Sequence, residues 1–213
     1  MVRVKICGIT NWTDAELALA AGANALGFNF YRPSPRYIAP SHAQLIITRL
    51  PAGVDAVGVF VNPSFAEANQ IGLSTDLDVL QLHGDESPEA LAEFSGSWTL
   101  IKAFRASPEF CAEQLEAYRG QTEFFLLDGF SEHARGGTGK TFDWSVAREA
   151  KKYGRIFLSG GLTPENVGDA VRQVQPFAVD VCSGVEASPG KKDAARVREF
   201  IRTVKEAGKD IAQ

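Results

Sequence analysis

Eight times along the chain, a short run of apolar and β-branched residues ends on a turn and gives way to a helix-start signal. The stretch Val2–Asp14 sets the plan. Val2, Val4 and Ile6 alternate with period two, as in a strand. Cys7 stands at the end of that strand and Gly8 turns the chain. Thr13 or Asp14 is placed to N-cap the run Ala15–Ala21, which Gly22 stops. The plan recurs through Asn24–Phe30, Val54–Val61, Leu77–Leu82, Trp98–Phe104, Glu123–Leu127, Arg155–Leu158 and Phe177–Val181. Helix signals follow at Pro40 or Ser41, Asn62-Pro63-Ser64, Ser87-Pro88, Ser107-Pro108, Asp143, Thr163-Pro164-Glu165 and about Lys192. These predict helices to Arg49, to about Ile71, to Tyr118 and, last, to Ala207.

Near-continuous apolar strands alternating with helices need a parallel sheet covered on its outer face. Eight such units close into a barrel, and 213 residues is near the small end for that fold. The sequence therefore predicts an α/β architecture, a single-domain (β/α)8 TIM barrel over residues 1–213. An open doubly wound sheet is the alternative if two of the strands fail.

Composition narrows the function. A net charge of -4 with no basic stripe argues against a nucleic-acid binder. No apolar run approaches the ~20 residues a membrane span needs. A strand starting at residue 2 leaves no room for a signal peptide. Cys7, Cys111 and Cys182 form an odd set with no CxxC, so a reduced, cytoplasmic setting is expected. The three histidines show no His-x-His pattern, and no metal is expected.

Barrel chemistry gathers at the carboxyl ends of the strands. The candidates there are Cys7, Arg36, His83, Asp128, the Gly137-Thr138-Gly139 loop, Gly160-Gly161 and Ser183-Gly184. Glycine pairs on the adjacent seventh and eighth tips suit a phosphate, because backbone N–H groups there approach an anion closely. The bland alternative is that they only turn the chain. Gly139-Lys140-Thr141 resembles part of a P-loop, but the required earlier glycine position holds Ala134. A glycine-rich lid closing over a ligand is the better reading, against a plain solvent loop.

Period two puts Lys5 and Cys7 on one face, where the ammonium favours a thiolate. A cysteine in such a place is otherwise a small buried hydrophobe. A lysine inside a barrel needs a partner, and Asp180 on the eighth strand is the one the topology offers. Asp180 is grouped with the substrate-side residues of that strand. Cys182, two residues on, faces inward beside Cys7 and is read as packing. Asp128 ends the apolar run Phe124–Leu127, where desolvation keeps a carboxyl protonated and able to donate; a turn cap is the competing role. Arg36, in the stiff Arg32–Arg36 loop, is either a surface charge or a bidentate clamp on a carboxylate. His83 is either a structural histidine or part of the site.

Seven blocks of this chain resemble the motifs of the phosphoribosylanthranilate isomerase family. They are Val4–Thr10, Ser34–Arg36, Val79–Gly84, Leu127-Asp128, Gly136–Trp144, Leu158–Leu162 and Val179–Glu186. The resemblance implies a cofactor-independent barrel enzyme of tryptophan biosynthesis that performs an Amadori rearrangement on a small phosphosugar. By motif, Asp128 resembles the acid and Cys7 the base. Arg36 resembles the clamp on the anthranilate carboxylate. Gly160-Gly161 and Ser183-Gly184 resemble the phosphate cradle, Gly137–Gly139 the closing loop, and His83 a supporting residue at the mouth. Two departures are Cys182, where serine is the commoner residue, and the insert Gly129–Ala134. Indoleglycerol-phosphate synthase would offer lysine and glutamate at the tips, and ribulose-phosphate epimerase a metal-binding set. Outside enzymes, the rival is a non-catalytic phospholigand-binding barrel. A monomer is the default, with a homodimer left open.

Overall fold

The computed structural model describes residues 1–129 and 143–211. Arg3–Cys7 forms β1 because its side chains alternate between two environments. Val4 and Ile6 join the outer core under the helices, while Lys5 and Cys7 turn toward the barrel axis. Helix α1 spans Trp12–Ala21 and stops at Gly22, which takes the left-handed conformation at φ 97°. Its cap is Asn11 and not Thr13 or Asp14. The Asn11 side chain accepts from the Asp14 N–H and donates to the Asp14 carboxylate, both at 2.9 Å. Asp14 is buried and itself accepts from the Lys192 N–H at 3.0 Å.

The remaining units are β2 Ala25–Asn29, α2 Pro40–Ile47, β3 Asp55–Phe60, α3 Phe65–Thr75, β4 Val79–Leu82 and α4 Pro88–Ala92. After them come β5 Thr99–Ala106, a 3-10 helix Ala112–Tyr118, β6 Phe124–Gly129, α5 Trp144–Ala150, β7 Arg155–Leu158, α6 Val167–Val174 and β8 Ala178–Val181. The eight parallel strands close in chain order, with Lys5 of β1 in register with Ala25 on one side and Asp180 on the other. The predicted (β/α)8 barrel is the observed fold.

Further details depart from the sequence reading. Helix α3 runs one turn past Ile71 and stops where Asp76 turns left-handed at φ 60°. The fifth helix is 3-10 and not α. Helix α6 starts at Val167, because the Asn166 side chain closes a turn by accepting from Thr163 N–H and donating to the Gly161 carbonyl. The eighth tip carries a 3-10 turn, Ser183–Val185, and a small hairpin of β9 Glu186–Ser188 and β10 Lys191–Lys192. Only then does α7, Ala194–Asp210, begin; its cap is Asp193, which accepts from the N–H groups of Ala195 and Arg196.

The barrel interior is apolar below and polar above. Ala25, Val57, Val79, Ile101, Ala103, Leu126, Phe157 and Ala178 form the apolar column. Above it lie Lys5, Gln81, Ser159 and Asp180, all buried. A second buried ion pair stands outside the barrel wall. Lys102 Nζ reaches Glu86 Oε2 at 2.7 Å and the Gly84 carbonyl at 2.8 Å. Glu86 in turn accepts from the N–H groups of Asn62 and Gly84. This cluster fixes the loop that follows His83.

Candidate active site

Lys5 is fully buried and donates to Asp180 at 2.7 Å. Burial opposes its charge, but Asp180 and the Cys7 sulfur outweigh burial and raise its pKa. The Asp180 carboxylate is completed by the Ser159 hydroxyl at 3.1 Å. Cys7 lies beside this pair. A hydrogen bond from Cys182 lowers its pKa, burial opposes, and the Lys5 ammonium adds to the lowering, so the thiol titrates at about 6. Two glycines make room for the sulfurs: a Cβ on Gly27 would sit 2.7 Å from Cys7 Sγ, and one on Gly8 2.8 Å from Cys182 Sγ.

Asp128 closes β6 two residues beyond Leu126 of the inner column, so period two turns it into the same mouth. Its Oδ2 lies 3.4 Å from His83 Nε2, with the two side chains 22% and 23% exposed. Gln81 Nε2 sits 2.9 Å from His83 Nδ1. Which of the two donates depends on the tautomer of the ring, whose other nitrogen faces Asp128. The half-buried Asp128 thus stands on the apolar layer, at the rim.

Arg36 does not reach the mouth as a free fork. Its Nε and Nη2 both donate to Glu186, the shortest contact being 2.7 Å, and Nη1 donates to no described residue. That bond raises the Arg36 pKa. Burial works against the Glu186 charge, but Arg36 and Lys192 prevail and hold its pKa below the usual range. Lys192 Nζ reaches the same carboxylate at 3.0 Å.

On the far side, Gly160 and Gly161 both have positive φ, 81° and 66°. A Cβ on Gly160 would run into the backbone N of Gly129, and one on Gly184 into the Leu162 carbonyl. The N–H groups of Gly160 and Gly161 donate to no described residue. Ser183 and Gly184 open a 3-10 turn, whose first N–H groups lack partners within the turn. Gly137, Thr138 and Gly139 lie outside the described residues. Among the described residues no group of three His, Cys, Asp or Glu side chains is placed to hold a metal.

Cys7, Lys5, Asp180, His83, Asp128 and both glycine pairs therefore gather at one end of the barrel. Cys182 is more than packing, since its sulfur donates to Glu186 at 3.7 Å and accepts from Lys192 at 3.8 Å. The sequence reading missed Gln81, Ser159, Glu186 and Lys192. Gln81 had a signal: it is a lone amide in the apolar run Val79–Leu82, on the His83 face.

A family model described as N-(5'phosphoribosyl)anthranilate (PRA) isomerase matches residues 4–203. The N-(5'-phosphoribosyl)anthranilate isomerase of Trichlorobacter lovleyi is 51% identical over 208 residues, spanning 97% of this chain and 100% of its own length. The crystal structure of phosphoribosyl anthranilate isomerase from Thermotoga maritima superposes with a TM-score of 0.88 at 44% identity, covering 97% of this chain and 100% of that one. Another solved structure, with a TM-score of 0.84 and 42% identity over 97% of this chain and 100% of that one, is such an isomerase in complex with reduced 1-(o-carboxyphenylamino)-1-deoxyribulose 5-phosphate. A match this long, in order and in fold, has one reading: the chain belongs to the N-(5'-phosphoribosyl)anthranilate isomerase family.

Proposed function

We propose that this chain isomerises N-(5'-phosphoribosyl)anthranilate to the corresponding aminoketose, a step of tryptophan biosynthesis, with Asp128 as acid and Cys7 as base. One observation carries the residue assignment. A thiol that ionises at about 6 and a carboxyl at a histidine face the same barrel mouth from β1 and β6. The Asp128 proton goes to the furanose ring oxygen as the C1'–O bond breaks, and the nitrogen lone pair forms the C1'=N bond of a Schiff base. The Cys7 thiolate then takes the C2' proton; that C–H electron pair becomes the C1'=C2' bond while the C1'=N π pair returns to nitrogen, giving an enolamine that tautomerises to the aminoketose. His83 Nε2 stands at Asp128 Oδ2 and positions the carboxyl at the mouth.

The N–H groups at Gly160-Gly161, which donate to no described residue, and those opening the Ser183-Gly184 turn supply the cradle for the 5'-phosphate. The open Nη1 edge of Arg36 supplies a donor for the anthranilate carboxylate, and Glu186 holds the guanidinium still. A working monomer of 23.0 kDa is the expected state; light scattering tests that mass. A base that works as a thiolate also suits a reducing compartment such as the cytoplasm. A phospholigand-binding barrel without chemistry would have the cradle but no use for the acid–base pair.

The test is loss of phosphoribosylanthranilate fluorescence with purified protein and no added metal; no loss contradicts the reading. Because the base acts when ionised, kcat/KM is expected to fall about tenfold per pH unit once pH drops below about 6. A rate flat down to pH 5 contradicts the thiolate assignment. Arg36→Ala is expected to raise KM roughly ten- to a hundred-fold, the size of a lost charge-assisted hydrogen bond, with a smaller change in kcat. An unchanged KM removes Arg36 from the carboxylate.

A further inference from the structure

Strand β4 sets three side chains in a row on the inner face of the barrel. Val79 belongs to the apolar column, and period two carries the same face through Gln81 to His83 at the rim. Gln81 is a buried amide whose register neighbours are Val59 on β3 and Ile101 on β5. Neither of those side chains can donate or accept. Gln81 Oε1 is accordingly buried with no hydrogen-bond partner among the described residues. Gln81 Nε2 meets His83 Nδ1 at 2.9 Å. A buried amide with one atom unpaired costs stability, so packing does not account for its presence.

The backbone at His83 is held without help from Gln81. Its N–H donates to the Phe60 carbonyl at 2.8 Å, and the Glu86–Lys102 cluster fixes the residues after it. What stays free is the ring, whose χ2 torsion has broad wells. We propose that Gln81 is a positioning residue: by bonding Nδ1 it holds the His83 ring in one orientation and one tautomer, and so sets what Nε2 presents to Asp128 Oδ2, 3.4 Å away. An amide nitrogen at Nδ1 demands the neutral tautomer with its proton on Nε2, and an amide oxygen demands the reverse. In either case one tautomer is admitted, and the nitrogen at Asp128 is set by the bond that the other nitrogen makes. The proposal rests on the reading of Asp128 as acid. A proton donor works only when held within about 0.5 Å of its productive place, and the Gln81 amide anchors that support one layer below the reacting atoms.

The test uses Gln81→Met, an unbranched side chain that lacks both hydrogen-bonding groups of the amide. Its kcat is expected to fall roughly ten- to a hundred-fold, the effect of a catalytic group misplaced by about 1 Å, with a smaller change in KM. Its melting temperature should not fall, since a half-paired buried amide is exchanged for an apolar chain, whereas loss of a merely structural residue would lower it. In protein labelled with 15N-histidine, at a pH where free histidine is neutral, the His83 ring nitrogens should report one tautomer in the parent and an average of two in Gln81→Met. His83→Ala identifies those signals. In the His83→Ala background Gln81→Met should lower kcat no further, because its effect runs through the ring. Gln81→Leu gives the same readings if the methionine variant folds poorly. Unchanged kcat or unchanged His83 signals overturns the proposal. So does an equal loss of kcat in the His83→Ala background, which would put Gln81 on the substrate directly. Full turnover in Asp128→Asn would instead overturn the acid assignment and leave the ring signals as described, a separate result.

Discussion

Asp128→Asn and Cys7→Ala, made separately, are each expected to lower kcat by about a hundred- to ten-thousand-fold, the usual contribution of a positioned acid or base. An amide in place of Asp128 keeps the contact with His83 Nε2 but has no acidic proton for the ring oxygen. Alanine at position 7 leaves Lys5 its 2.7 Å bond to Asp180, so the buried ammonium stays paired and the barrel stays folded. Circular dichroism and thermal melts should therefore match the parent while turnover is lost. The two steps act on one substrate in sequence, so the double variant should be little worse than the poorer single one. Near-normal kcat in either variant removes that residue from the chemistry.

The largest effect on stability is expected away from the mouth, at Glu86→Ala. Glu86 accepts from Asn62 N–H, Gly84 N–H and Lys102 Nζ, and both ends of the ion pair are almost fully buried. Removing the carboxylate strands an ammonium whose pKa burial already lowers, with Glu86 opposing that fall. Breaking a buried pair in this way costs about 3–5 kcal/mol. For a chain of this size that corresponds to a melting temperature lower by roughly 6–20 °C. Lys102→Met with Glu86→Leu, which removes both charges, should recover much of the loss. A melting temperature unchanged by Glu86→Ala would mean that the pair is solvated.

Most strands were legible in sequence because they are buried on both faces and read as near-continuous apolar runs between turns, and β1 because Val4 and Ile6 alternate with Lys5 and Cys7. The fifth helix was not. In Ala112–Tyr118 the buried residues Ala112 and Leu115 stand three apart, a spacing that a 3-10 helix satisfies as well as an α-helix. Lys5, Cys7 and Asp180 were legible because period two and strand adjacency in a closed barrel together fix who faces whom. Glu186 and Lys192 were beyond reach for the opposite reason. They sit in a hairpin whose place is set by tertiary bonds to Thr10, Asp14 and Arg36. Reading Cys182 as packing misses the same hairpin, whose Glu186 and Lys192 hold its sulfur. No local pattern shows that Glu186, at a separation of 150 residues, takes two donors of Arg36, whether that residue is a surface charge or a clamp.

The most direct measurement of the acid–base assignment uses phosphoribosylanthranilate carrying deuterium at C2'. Its loss to solvent is followed by mass spectrometry alongside the fluorescence change, for the parent protein and for Cys7→Ala. The parent is expected to release the deuterium in step with product formation, and Cys7→Ala to leave it on C2'. Release by Cys7→Ala at the parent rate would mean that another group takes the proton, and the thiol of β1 would have no part in the reaction.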